Sequence, residues 1–240
     1  EQDFKDLADA GVTLLGEVGL GTVKDGKTAQ QMVSWARKYG IQSTIHTGGP
    51  SIPGSGLIDA DMVMETGTDV IGHINGGHSA LPDDQIICLC ENCSSAFEIV
   101  HNGNERSAVL TINTARELGK LDQVILGTDG PAGSGVQPLG IMRMVAMLSA
   151  FGNVPAAEAF CFGHGNTSRQ RKLDTGLIEV GYAADFVLLD KAQHAPGKTM
   201  LESVQLGNLP GVGMTVIDGE VTSGRSRNTP PADRLPEHIQ

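Results

Sequence analysis

Glu17, His46, His73, His101 and Asp129 each close a short apolar run, at intervals of 29, 27, 28 and 28 residues. Carboxylate oxygen and imidazole nitrogen suit zinc, iron and related divalent ions. Such an ion lowers the pKa of a bound water from about 15.7 to about 7, so hydroxide becomes available at neutral pH. A carboxylate not wholly engaged with the ion can take the proton from that water. The chemistry suggested is metal-assisted hydrolysis. Each residue alone has an ordinary reading, a hydrogen-bonded structural His or a carboxylate in the first turn of a helix. Recurrence at one period sets the group apart, and a metal supplies the partner that a buried carboxylate needs.

The elements that must position these residues follow from the interval, which is close to one strand plus one crossover helix. Barrels of parallel strands deliver catalytic groups at the C-terminal ends of successive strands. Strand signals lie at Val12–Val18, Ile41–His46, Val70–Ile74, Ala96–His101 and Gln123–Thr128, each a short run rich in Val, Ile or Leu. Helical patterns lie between and after them, at Thr28–Tyr39, Asp59–Glu65, Asp83–Glu91, Asn104–Leu118 and Gln137–Phe151. Gly-rich sequence follows Glu17, His46, His73 and Asp129 and lets the backbone turn sharply.

This alternation predicts an α/β protein with a parallel sheet. Eight such units close a barrel and five are visible, so the expectation is a (β/α)8 TIM-type barrel with its N-terminal strands missing. The chain has no initiator Met, and Phe4–Gly11 reads as the tail of a helix. Residues 1–173 form the partial barrel in this reading. Residues 174–224 form a small β-sandwich subdomain, with strands at Gly176–Gly181 and Ala184–Asp190 and a hairpin of Met214–Ile217 and Glu220–Thr222 around Asp218-Gly219. Residues 225–240 read as an extended, weakly ordered tail.

Composition narrows the partners. A formal charge of −11 with no basic run argues against nucleic acid. No apolar stretch reaches the roughly 18–20 residues of a membrane span. Four Cys and no signal-peptide pattern point to a reduced, cytoplasmic setting. Cys88, Cys90 and Cys93, with Cys161 as a fourth, resemble half of a zinc or iron–sulfur site. They straddle the end of a crossover helix, away from the catalytic rim, and read as buried or incidental thiols. Gly16, Gly19 and Gly21 lack the G-x-G-x-x-G spacing of a nucleotide turn, and Glu17 would oppose a phosphate.

Several segments carry a resemblance. They are Gly-Glu-Val-Gly-Leu-Gly-Thr at 16–22, His-Thr-Gly-Gly-Pro-Ser-Ile-Pro-Gly-Ser at 46–55 and His-Ile-Asn-Gly-Gly at 73–77, then Glu-Ile-Val at 98–100, Pro-Leu-Gly-Ile at 138–141 and Ser-Arg-Asn-Thr-Pro-Pro-Ala at 226–232. Together they resemble the amidohydrolase superfamily, and within it the enamidase branch that opens a cyclic enamide. The resemblance implies a metal-dependent barrel with a small β-sandwich, using zinc and/or iron, binuclear in the intact enzyme. It implies Glu17 as the bridging carboxylate and His46 and His73 as ligands of the second metal. Asp129 would bind the first metal or water and carry the proton to the leaving nitrogen. His101 would contact substrate or make a rim hydrogen bond.

The family's His-x-His on the first barrel strand is absent from these 240 residues. The chain is therefore read as N-terminally truncated, with ligands enough for one metal. His78 and the pair His101-Asn102 also depart from the family pattern. The implied function is hydrolysis of a C–N bond in a cyclic amide, enamide or lactam, on a small-molecule substrate and in a homo-oligomer. The alternatives are another ring opener or a deaminase of the same superfamily, or a catalytically silent ligand-binding α/β protein.

Overall fold

The alternation of Val- and Ile-rich runs with amphipathic stretches becomes five parallel strands in a computed structural model of the chain, which describes residues 1–131 and 135–237. Contacts divide it into two units, Glu1–Val136 and Gln137–Gln240. The first runs α1 (Gln2–Asp9), β1 (Leu14–Val18), α2 (Gly26–Lys38), β2 (Gln42–Ile45), α3 (Ala60–Thr66), β3 (Val70–Ile71), α4 (Asp83–Asn92), β4 (Ala96–Val100), α5 (Glu105–Glu117) and β5 (Val124–Gly127). Its strands pair in chain order, all parallel.

The helices form where the sequence places caps. The side chains of Asp25, Asp59 and Asn104 accept from the backbone N–H groups of Thr28, Met62 and Ser107 at the starts of α2, α3 and α5. Ala29, Val33 and Ala36 form the buried stripe of α2. At the far end of α4, the ammonium of Lys120 donates to the carbonyls of Cys90, Glu91 and Cys93 at 2.6, 3.0 and 3.1 Å. It thereby satisfies carbonyls that a helix C-terminus leaves open. Ile45, Ile71, Phe97 and Ile99 alternate onto one face of the sheet and are fully buried, together with Ile86, Leu89 and Ile112 of the helices. Thr44, Val70, Ala96, Glu98 and Ile125 take the other face.

Two strands depart from simple expectation at their useful ends. In β1 the register jumps between Leu15, opposite Ser43, and Glu17, opposite Thr44, so Gly16 is the extra residue of a β-bulge. Leu15 packs into the cluster of Phe4, Ala36 and Ile41 on the helix side. Period-2 alternation would send Glu17 to that same side, and the bulge sends it to the opposite one. β3 ends at Ile71 rather than Ile74, because His73 takes a left-handed φ of 29° and turns the chain out of the sheet.

The second unit runs α6 (Gly140–Phe151), α7 (Ala156–Gly163), α8 (Gly165–Arg171), β6 (Phe186–Asp190), α9 (Met200–Gln205), β7 (Gly211–Ile217) and β8 (Glu220–Ser223). The strands form one antiparallel sheet. The expected hairpin is present, and Asp218 and Gly219 both adopt the positive φ that a tight two-residue turn requires. Gln205 joins α6, α7 and α9, donating to the Ser149 carbonyl and accepting from Ala156 N–H. The strand expected at Gly176–Gly181 is corrected: these residues form turns with Ile178 and Val180 exposed, and no ladder receives them among the described residues. The tail is held among the described residues. Ala232 bridges Ala192, and Arg234 pairs with Asp190.

Candidate metal centre

Glu17, His46 and His73 leave the C-terminal ends of β1, β2 and β3 and meet at one point. Glu17 Oε1 lies 2.7 Å from His73 Nε2 and 3.7 Å from His46 Nδ1. The two imidazoles are edge to face, with His73 Nε2 2.9 Å from His46 Nδ1. All three donor atoms fall within 4.8 Å of one another. Both His side chains are almost fully buried, while Glu17 is about a third exposed.

The ring orientations follow from hydrogen bonds behind the cluster. His46 Nε2 lies 2.9 Å from the Gly49 carbonyl, which can only accept, so the proton sits on Nε2 and Nδ1 offers its lone pair forward. The imidazoles of His46 and His73 hold the Glu17 carboxyl down to about 2, against the opposing effect of its burial. Burial pulls the His73 pKa down, but the hydrogen bond and charge of Glu17, with the charge of Asp129, outweigh it and raise it overall. Glu17 is thus an anion among two imidazoles.

The donor set fits a divalent ion. Ligand atoms around a tetrahedral ion with bonds of about 2.0–2.1 Å lie roughly 3.4 Å apart. The three separations here, 2.7, 2.9 and 3.7 Å, bracket that spacing.

The other two periodic residues lie outside this three-residue group. Asp129 follows β5 with a left-handed φ of 52° and lies outside the three-residue group. Its carboxyl nevertheless feels that group. Burial and the Glu17 charge raise its pKa, while His73 and His46 oppose. His101 follows β4 in the sheet ladder, its N–H donating to the Gly127 carbonyl, and its Nδ1 faces Asn102 Oδ1 at 3.5 Å. The thiols of Cys88, Cys90 and Cys93 are free and lie around the end of α4. Burial pushes the Cys90 thiol up to about 12, the opposite of what a metal thiolate needs.

Sequence reasoning missed Thr47 and Asn75, which support these groups, and singled out Asn102 only as a departure from the family pattern. Thr47 is buried between His46 and His73. Asn75 is buried and bonds Val100 on both its amide and carbonyl sides. Asn102 donates from Nδ2 to the Asp129 carbonyl at 2.8 Å. The only signal for Thr47 and Asn75 was a position inside the Gly-rich segments after β2 and β3.

Residues 5–222 match the amidohydrolase family. The chain is 39% identical to the enamidase of Eubacterium barkeri over 234 residues, which is 98% of this chain and 61% of that protein. A crystal structure of enamidase superposes with a TM-score of 0.94 at 38% identity, covering 98% of this chain and 61% of the other. The β-aspartyl dipeptidase of Fervidobacterium islandicum shares the fold, with a TM-score of 0.63 at 16% identity over 95% of this chain and 59% of that one. The chain therefore spans about three-fifths of the length of the relatives it matches.

Proposed function

The chain belongs to the amidohydrolase family, and on that premise we propose that it hydrolyses a carbon–nitrogen bond of a cyclic amide, enamide or lactam with the help of a divalent ion. The observation that carries this reading is the convergence of Glu17, His46 and His73 on one point. Identity to an enamidase over nearly the whole chain supports the substrate class.

In this reading Glu17, His46 and His73 would hold zinc or iron, since two imidazoles and a carboxylate suit either. The ion would polarise the scissile carbonyl and make hydroxide available near neutral pH. The chain's own groups do the rest. Glu17 stays ionised across the physiological range. Asp129, with its raised pKa, would accept the proton of the attacking water on its carboxylate and deliver it to the leaving nitrogen. Asp129 lies outside the three-residue group and feels its charges, which suits a proton carrier beside the ion. His101 would line the substrate pocket.

We further propose residues 1–173 as a partial barrel, 174–224 as a small sandwich subdomain whose strands begin at Phe186, and 225–240 as an extended tail, in a cytoplasmic homo-oligomer acting on a small molecule. Turnover of cyclic enamides and lactams by the zinc- or iron-loaded protein, compared with Glu17→Ala and Asp129→Ala, tests the function. Loss in both is expected, and full activity in both overturns it.

A further inference from the structure

We propose that Thr47 is a positioning residue whose hydroxyl keeps a proton on His73 Nδ1 and holds the left-handed backbone there, so that Nε2 faces the cluster and is the nitrogen an ion takes. The proposal rests on the metal-centre reading above. Thr47 is 1% exposed. Its Oγ1 lies 3.1 Å from the Gly72 carbonyl, 3.1 Å from the His73 carbonyl and 3.4 Å from His73 Nδ1.

A hydroxyl has one hydrogen and two lone pairs, while a carbonyl only accepts. The hydrogen of Thr47 therefore goes to the two carbonyls, and the third contact runs from His73 Nδ1–H to Oγ1. That places a ring proton on Nδ1, so the proton that Nε2 shares with Glu17 and His46 in the ion-free site is the one an ion displaces. The opposite tautomer would draw the only hydrogen to Nδ1 and leave Oγ1 facing two carbonyls with nothing to donate. Orientation of a ligand imidazole through its second nitrogen is a general device of metal sites.

The same hydroxyl acts on the backbone. Gly72 O and His73 O belong to the peptides on either side of the His73 α-carbon, and φ there is 29°. A non-glycine residue keeps such a conformation only where its surroundings over-determine it. The single hydroxyl hydrogen of Thr47 is shared between the carbonyls of the two flanking peptides, and Gly76 N–H adds a second donor, to His73 O at 2.6 Å. Thr47 follows His46 directly, so one short segment after β2 both provides a ligand and orients the next.

Co²⁺ binding, followed by visible absorption, and Zn²⁺ calorimetry on the unaltered chain, His73→Ala, Thr47→Val and Thr47→Ser test the proposal. Thr47→Val should weaken both ions by about 10- to 100-fold, and Thr47→Ser should restore binding to within roughly threefold. Thr47→Val binding as tightly as the unaltered chain overturns the proposal and leaves the metal centre standing. If the unaltered chain binds neither ion, the metal centre falls and the proposal falls with it. Should Thr47→Val not fold, the ¹⁵N shifts of His73 in the zinc-loaded unaltered chain decide. A proton on Nδ1 and zinc at Nε2 are expected, and zinc at Nδ1 overturns the proposal.

Discussion

Glu17 Oε1 and His73 Nε2 are 2.7 Å apart although β1 and β3 are not neighbours in the sheet. β2 runs between them, and His46 at its end completes the group from the middle. The approach depends on the bulge at Gly16, which puts Leu15 and Glu17 on opposite faces, and on the left-handed turn at His73. Together they draw side chains from three strands to one point.

That geometry separates Glu17 from Asp129 by experiment. Glu17→Ala should weaken zinc binding roughly tenfold or more, because it removes one of three convergent donors. Asp129→Ala should bind zinc within about threefold of the unaltered chain while turnover falls by about 10²–10⁴, the range for losing a general base. Equal weakening of zinc by both variants would place Asp129 among the ligands of the same ion.

Gly48 should tolerate no side chain. Its φ is +90°, and a Cβ there would collide with the Ser79 carbonyl oxygen, which no rotamer can relieve. Its N–H and C=O are both committed to Ile58, at 2.8 and 3.0 Å. Gly48→Ala should therefore cost about 2 kcal/mol or more. Gly54, with φ +88° and open space around it, serves as control, and Gly54→Ala should cost about 1 kcal/mol. Thermal denaturation of the pair checks this. Equal melting temperatures would show that the Gly48 clash is absent in solution.

Acid should loosen the tail from β6. Asp190 accepts from Arg234 Nε at 2.9 Å, from Nη2 at 3.1 Å and from Arg234 N–H at 2.9 Å. The Arg234 guanidinium holds the Asp190 carboxyl well below the usual carboxylate range. A carboxyl with a depressed folded pKa stabilises fully above its unfolded value of about 3.9 and loses that contribution as pH falls toward the folded value. Hydrogen exchange at residues 232–235, corrected for intrinsic rate, should be slow at pH 7 and become faster below about pH 4. In Arg234→Ala it should be fast at both. An unaltered chain with the same protection at both pH values would contradict this.

Much of this was legible in the linear chain. The five strands and their crossover helices fall where the apolar runs and caps place them, because strand and helix periodicities are local properties. The hairpin at Asp218-Gly219 was equally local, since its turn depends on two adjacent residues. The run at 176–181 looked like a strand by composition, yet a strand needs a partner ladder, and composition does not supply one. The tail looked weakly ordered, and its docking hangs on a pairing of Arg234 with a residue 44 positions away.

The sequence by itself determined which residue types recur at the strand ends, and hence that carboxylate and imidazole would be carried toward one rim. Only the tertiary structure decided that Glu17, His46 and His73 converge within 4.8 Å, with Asp129 and His101 outside that group. The reason is physical. Spacing along a chain selects the end of a strand. The direction of a side chain there is set by a bulge against the neighbouring strand at Gly16 and a strained turn at His73, which Thr47 braces from the end of β2.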